Sequence, residues 1–111
     1  MNSFPERFKS ENTDKFHQYK QRKDLKYLRK RIYDHYLSID YKQKNALLSK
    51  PFYATPYMME RKLNPKQVEN LIIIIQLELK KNKWFSFYDA NKQCFYLSDN
   101  NEELQDIVQL L

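Results

Sequence analysis

Glycine is absent from this 111-residue chain, and that absence limits what the chain can build. Glycine reaches positive φ without steric cost, so tight turns here are expected to use Asn or Asp, the side chains that best tolerate the left-handed region. The Gly-rich, phosphate-cradling loops of P-loop and dinucleotide-binding folds are excluded on the same ground.

Residues 1–12 are polar, with Phe4, Pro5 and Phe8 as their only anchors, and read as a flexible arm ahead of one compact domain, 13–111. A cap at Asn12 or Thr13 opens a helix with nothing to break it before about residue 39. Within it Leu25, Leu28, Ile32, Tyr36 and Ile39 recur at spacings of three and four and stack on one face. Residues 41–49 suit a short helix around Leu47 and Leu48, stopped by Pro51. Thr55-Pro56 reads as a cap followed by a first-turn proline, starting another short helix through Met58, Met59 and Leu63.

The clearest boundary is Asn64-Pro65-Lys66-Gln67, a capping residue, an N1 proline and a Gln at N3. The helix it opens, 65–82, carries Val68, Leu71, Ile72, Ile75 and Leu79 on one face, and Ile73, Ile74 and Leu77 widen that face toward full burial. Four consecutive isoleucines also suit a core strand, because β-branched side chains favour sheet. The cap and the Glu78/Lys80/Lys81 tail decide for helix. Residues 84–88 and 94–97 form two aromatic strands about an Asp89-Ala90-Asn91-Lys92 turn. Asp99-Asn100-Asn101-Glu102 then has capping-box spacing and leads into a short helix with Leu104, Ile107, Val108 and Leu111 on one side.

The expected class is α+β and predominantly helical: a long basic N-terminal helix, a helical core, and one C-terminal hairpin followed by a short helix. Short helix, apolar helix, hairpin is the element order of a winged helix over 43–97, although Asn64 alone is short for the three- or four-residue turn between two such helices. The apolar helix is also poorly equipped as a base reader. Only Lys66, Gln67, Asn70, Gln76, Lys80 and Lys81 could face a groove.

Charge supplies the functional expectation. Residues 20–31 hold seven cations and one anion, so this dodecamer carries the whole net charge of +6. An AT-rich composition inflates lysine without functional meaning, but Arg22, Arg29 and Arg31, three of the five arginines, also fall here. Lys20, Arg22, Lys23, Lys26, Tyr27, Arg29, Lys30 and Arg31 are therefore the candidate nucleic-acid-binding residues. The cations would meet phosphates, and Tyr19 or Tyr27 would stack on an exposed base. The plain alternative is a solvated outer helix face.

A hairpin in so small a chain cannot hide both faces, so Trp84, Tyr88 and Tyr96, with Met58 and Met59, are the candidate partner-binding residues. Catalysis and metal binding have little support. His17 and His35 lack ligand spacing, Cys94 is the only cysteine, and no Ser or Thr has a base nearby in sequence. The expectation is a non-enzymatic accessory subunit, without cofactor, metal or small-molecule substrate. It would contact DNA or RNA backbone through the basic helix and dock to a larger protein subunit. The alternative is an assembly subunit whose basic helix binds an acidic protein. A lone cysteine, the lack of a signal-type N-terminus and the lack of a ~20-residue apolar run point to an intracellular, reducing compartment, nuclear or cytoplasmic, away from the membrane.

Overall fold

The computed structural model describes the backbone of residues 3–40, 42–43 and 45–111 and, within these, the side chains from Lys20 onward. Eight elements follow in order: α1 Ser3–Leu37, α2 Ala46–Ser49, β1 Phe52–Tyr53, α3 Thr55–Arg61, α4 Pro65–Lys81, β2 Phe85–Asp89, β3 Cys94–Ser98 and α5 Asn101–Leu110. The α+β, mainly helical class is as expected. Helix α1 starts at Ser3, nine or ten residues before the anticipated cap, so residues 3–12 of the expected arm are helical in backbone. Pro5 fits because it lies in the first turn, where its missing N–H is not needed. Thirty-five helical residues span roughly 52 Å at 1.5 Å each, which accounts for most of the 65 Å long axis. The proposed anchoring by Phe4 and Phe8, and the roles considered for His17 and Tyr19, concern side chains outside the described residues.

Asp24, Leu28, Ile32 and Tyr36 form the buried stripe of α1 at a constant spacing of four, continued by Ile39 beyond the helix. Leu25, expected in that stripe, is half-buried at its margin, and an aspartate occupies the central position instead. Helix α4 packs Val68, Leu71, Ile72, Ile75 and Leu79 into the same core. Its capping box forms as the sequence indicates. Asn64 Oδ1 accepts from the Gln67 N–H at 2.8 Å, and Gln67 Oε1 accepts from the Asn64 N–H at 2.9 Å.

The connection before it differs from expectation. Helix α3 stops at Arg61 because Lys62 enters the left-handed region at φ 55°, with the Leu63 N–H bonded to the Met58 carbonyl and the Lys62 N–H to that of Met59. This Schellman ending leaves residues 62–64 as a three-residue turn, which removes the objection to a helix-turn-helix. Helix α4 ends the same way around Lys83 at φ 64°. Asn45 behaves as the missing glycines require, but lysines and Gln93 also carry positive φ. Thr55, expected as a cap, is the first helical residue, Ala54 being the N-cap, and donates its hydroxyl to Gln93 Oε1 at 2.7 Å.

Two-residue β1 was not anticipated. It pairs antiparallel with β3, whose other side pairs with β2, giving the order β1-β3-β2. Helix, strand, two helices and a hairpin keep the element order that the sequence compares with a winged helix, on a three-stranded antiparallel sheet. The sheet is covered on both faces: Phe95 and Leu97 face the core of α1, α3 and α4, while Cys94 and Tyr96 face a second cluster with Leu48 of α2 and Leu104 of α5. Strand β3 is consequently buried throughout.

Candidate nucleic-acid interface

With its stripe of Leu28 and Ile32 turned inward, α1 presents Lys23, Lys26 and Lys30 on the opposite side, flanked by Arg22, while Lys20 ends the basic run one turn before Asp24, in line with the stripe and at the mouth of a cleft beside it. All five are exposed. They lie within about 15 Å of helix axis, and Lys20, Arg22, Lys26 and Lys30 make no ion pair among the described residues. The ridge is a run of flexible, hydrated ammonium groups around one guanidinium.

The remaining candidates on α1 are engaged within the fold. Arg29 Nη1 donates to Glu78 Oε1 of α4 at 2.9 Å, tying the two long helices together. The Arg31 guanidinium lies 5.1 Å from the centre of the Tyr27 ring and 5.8 Å from that of Tyr57, and Arg61 lies 5.1 Å from Tyr27. Tyr27 meets Tyr57 edge-on at 6.4 Å, and Tyr57 stacks on Phe52 at 5.0 Å. Tyr27 is thus a rung in an arginine–tyrosine ladder joining α1 to α3 and β1, and its ring is already occupied, so it is not an open platform for a base. Its hydroxyl is shut away from solvent beside the Glu60 carboxylate, which favours the protonated phenol and raises its pKa.

The ladder is anchored by a pair that the sequence did not indicate. Arg61 donates from Nε to Asp24 Oδ1 at 3.1 Å, and its Nη2 lies 3.0 Å from the same oxygen as an ion pair. A carboxylate this buried is stable only when matched by such donors. The one anion of the basic dodecamer therefore serves the α1–α3 joint. Beside it a cleft of about 330 Å³ opens among Lys20, Gln21, Asp24, Gln67 and Asn70, floored by Leu63 and Leu71.

The proposed partner residues also separate. Met58 and Tyr96 are core residues, while Met59 is 77% exposed. Tyr96 is hidden because α2 and α5 cover the sheet face that a bare hairpin would have left open. Burial first, and then the Cys94 side chain, push its phenol up to about 12. Trp84 and Tyr88 are half-buried against the main core. Strongly exposed apolar area lies instead on α4, where Ile73 is 48% and Leu77 58% accessible, next to exposed Phe85. The sequence placed Ile73 and Leu77 in a fully buried face. That expectation fails because α1 and the sheet cover only one side of α4.

Of the groups weighed for catalysis, His35 bonds through Nε2 to the Lys50 carbonyl at 2.8 Å, and burial raises the Cys94 thiol pKa. Among the described residues no three His, Cys, Asp or Glu side chains cluster to hold a metal ion, and no helix is long and apolar enough to cross a membrane. No protein-family model, curated protein or solved structure matches this chain.

Proposed function

We propose that this chain is a non-catalytic binding module whose α1 ridge contacts the phosphate backbone of nucleic acid and whose α4–β2 face docks to protein. The observation that carries the first part is the ridge itself: Lys20, Arg22, Lys23, Lys26 and Lys30 lie exposed on helix faces that the core leaves to solvent. Cations so arranged neutralise phosphates and release counterions, giving affinity with little base preference. The α4 surface of the helix-turn-helix unit offers Glu69, Ile73 and Leu77 where a groove reader would offer donors and acceptors, which favours protein as its ligand.

The test is fluorescence anisotropy of labelled duplex DNA, single-stranded DNA and RNA across a salt series. A ridge engaging four or five phosphates gives a slope of log Kobs against log salt near −4, on the order of 0.9 per contact for duplex. No binding at low salt refutes the reading.

A further inference from the structure

We infer that the outer edge of β2 is a self-association surface, on which a second copy of this chain adds its own β2 antiparallel about a two-fold axis at Phe87. The inference rests on the reading of the α4–β2 face as a protein-docking surface and names its occupant. It does not involve the basic ridge.

The order β1-β3-β2 leaves β2 at the sheet edge, and among the described residues no strand pairs with its outer side. The groups it presents there follow from the ladder. Ala54 N–H bonds to the Gln93 carbonyl at 2.9 Å, so the Gln93 carbonyl and, by alternation, Phe95 in register with Phe52 turn toward β1. Cys94, Tyr96 and Ser98 then turn toward β2, where their register partners are Asp89, Phe87 and Phe85. Alternation leaves the N–H and C=O of Ser86 and Tyr88 pointing outward. Edges are normally blunted by lysine, proline or a bulge, yet Phe85-Ser86-Phe87-Tyr88 contains none of these.

An antiparallel copy centred on Phe87 pairs Ser86 with Tyr88 of the second copy, and Tyr88 with its Ser86. Both are hydrogen-bonded positions, so four backbone bonds form. The two Phe87 residues meet at the closely spaced position, where cross-strand aromatic pairs are favourable. The product is a continuous six-stranded sheet.

The flanks also suit a second copy. Two recesses border the edge, one of about 270 Å³ and mixed polarity near Ile72, Tyr88 and Ala90, the other of about 240 Å³ and mainly apolar near Leu77, Trp84 and Phe85, and Ile73 lines both. Their charged rims have opposite sign, Glu69 at the first and Lys80 at the second. Glu69 and Lys80 are eleven residues apart on α4, roughly 16 Å, too far to pair within one chain. A two-fold axis between them sets each Glu69 against Lys80 of the second copy. An isologous interface requires such self-complementarity.

The test is sedimentation velocity and light scattering of the full chain at 5–200 µM, as orders of magnitude that bracket ordinary dimer affinities. The expected species is about 27 kDa, twice the 13.7 kDa of the chain. Ser86→Pro removes an outward N–H without touching the β2–β3 ladder and should give a monomer with an unchanged circular-dichroism spectrum. Glu69→Lys should weaken the dimer at least about tenfold, and adding Lys80→Glu should restore it, a rescue that requires contact between chains. A 13.7 kDa species at every concentration overturns the inference and returns the face to a different protein. A dimer that survives Ser86→Pro, or that ignores the charge reversal, overturns it as well.

Discussion

Replacing Arg61 by alanine should be the most costly single change at the surface of this protein. The substitution leaves the Asp24 carboxylate buried and strips it of its guanidinium hydrogen bond at 3.1 Å and ion-pair contact at 3.0 Å. Breaking a fully buried pair from one side costs about 3–5 kcal/mol. Two features lower the figure here: the Arg61 side chain is 35% exposed, and Asp24 borders a cleft through which water can approach. The contact of Arg61 with Tyr27 restores about 0.5–1 kcal/mol. The expected loss is about 2–4 kcal/mol, a fall in Tm of roughly 10 °C for a domain of this size. Asp24→Ala should be milder, about 1–2 kcal/mol, because the guanidinium left behind can hydrate at the surface. Urea denaturation of both single variants and the double variant yields the coupling, expected near 1–2 kcal/mol. If Arg61→Ala costs under about 0.5 kcal/mol, or less than Asp24→Ala, the pairing does not hold the α1–α3 joint.

Three further outcomes follow from particular contacts. Lys83→Gly should stabilise by about 0.5–1 kcal/mol in thermal denaturation, since glycine relieves the left-handed cost at φ 64° that closes α4. Arg29→Ala should lower stability by no more than about 1 kcal/mol, its pair with Glu78 being one-third exposed, and leave the salt slope of nucleic-acid binding unchanged. Tyr96 holds its proton in the fold to about pH 12 against 10 when unfolded, so the unfolded state loses protons first as pH rises. Stability present below pH 10 is then lost between 10 and 12, and Tyr96→Phe should flatten that part of a pH–Tm profile.

The helices were legible where a local signal specified them. Asn64-Pro65-Lys66-Gln67 carries its own cap, and it forms; the box spacing of Asp99 and Glu102 is displaced by one residue, Asn100 being the N-cap that accepts from the Glu102 and Glu103 N–H groups. Periodicity identified the buried sides of α1 and α4, because i, i+3 and i+4 spacing is a property of the chain itself. Strand β1 escaped notice because two residues after a proline have no period, and only pairing with β3 makes Phe52–Tyr53 a strand. The site was legible as a charge and illegible as an assignment. Composition marks 20–31 as basic but cannot show that Arg29 faces Glu78, or that Tyr27 meets Arg61, since those partners lie 49 and 34 residues away on other helices; the Tyr27–Arg31 contact, one turn along α1, is the part that spacing alone allows. Arginine was the more persuasive residue in sequence. In the fold two of its three members in the segment hold helices together, and the exposed ridge is mostly lysine.

That distribution gives the measurement that bears most directly on the proposed function. Salt-dependent anisotropy would compare the wild type with two variants of equal net charge. One carries Lys20, Arg22, Lys26 and Lys30→Gln on the ridge; the other carries Lys50, Lys66, Lys81 and Lys92→Gln at exposed positions elsewhere. The ridge account predicts that the first variant loses about three to four units of salt slope while the second keeps nearly all of it. Equal losses in the two would mean that affinity follows net charge alone, and would contradict a phosphate-binding ridge on α1.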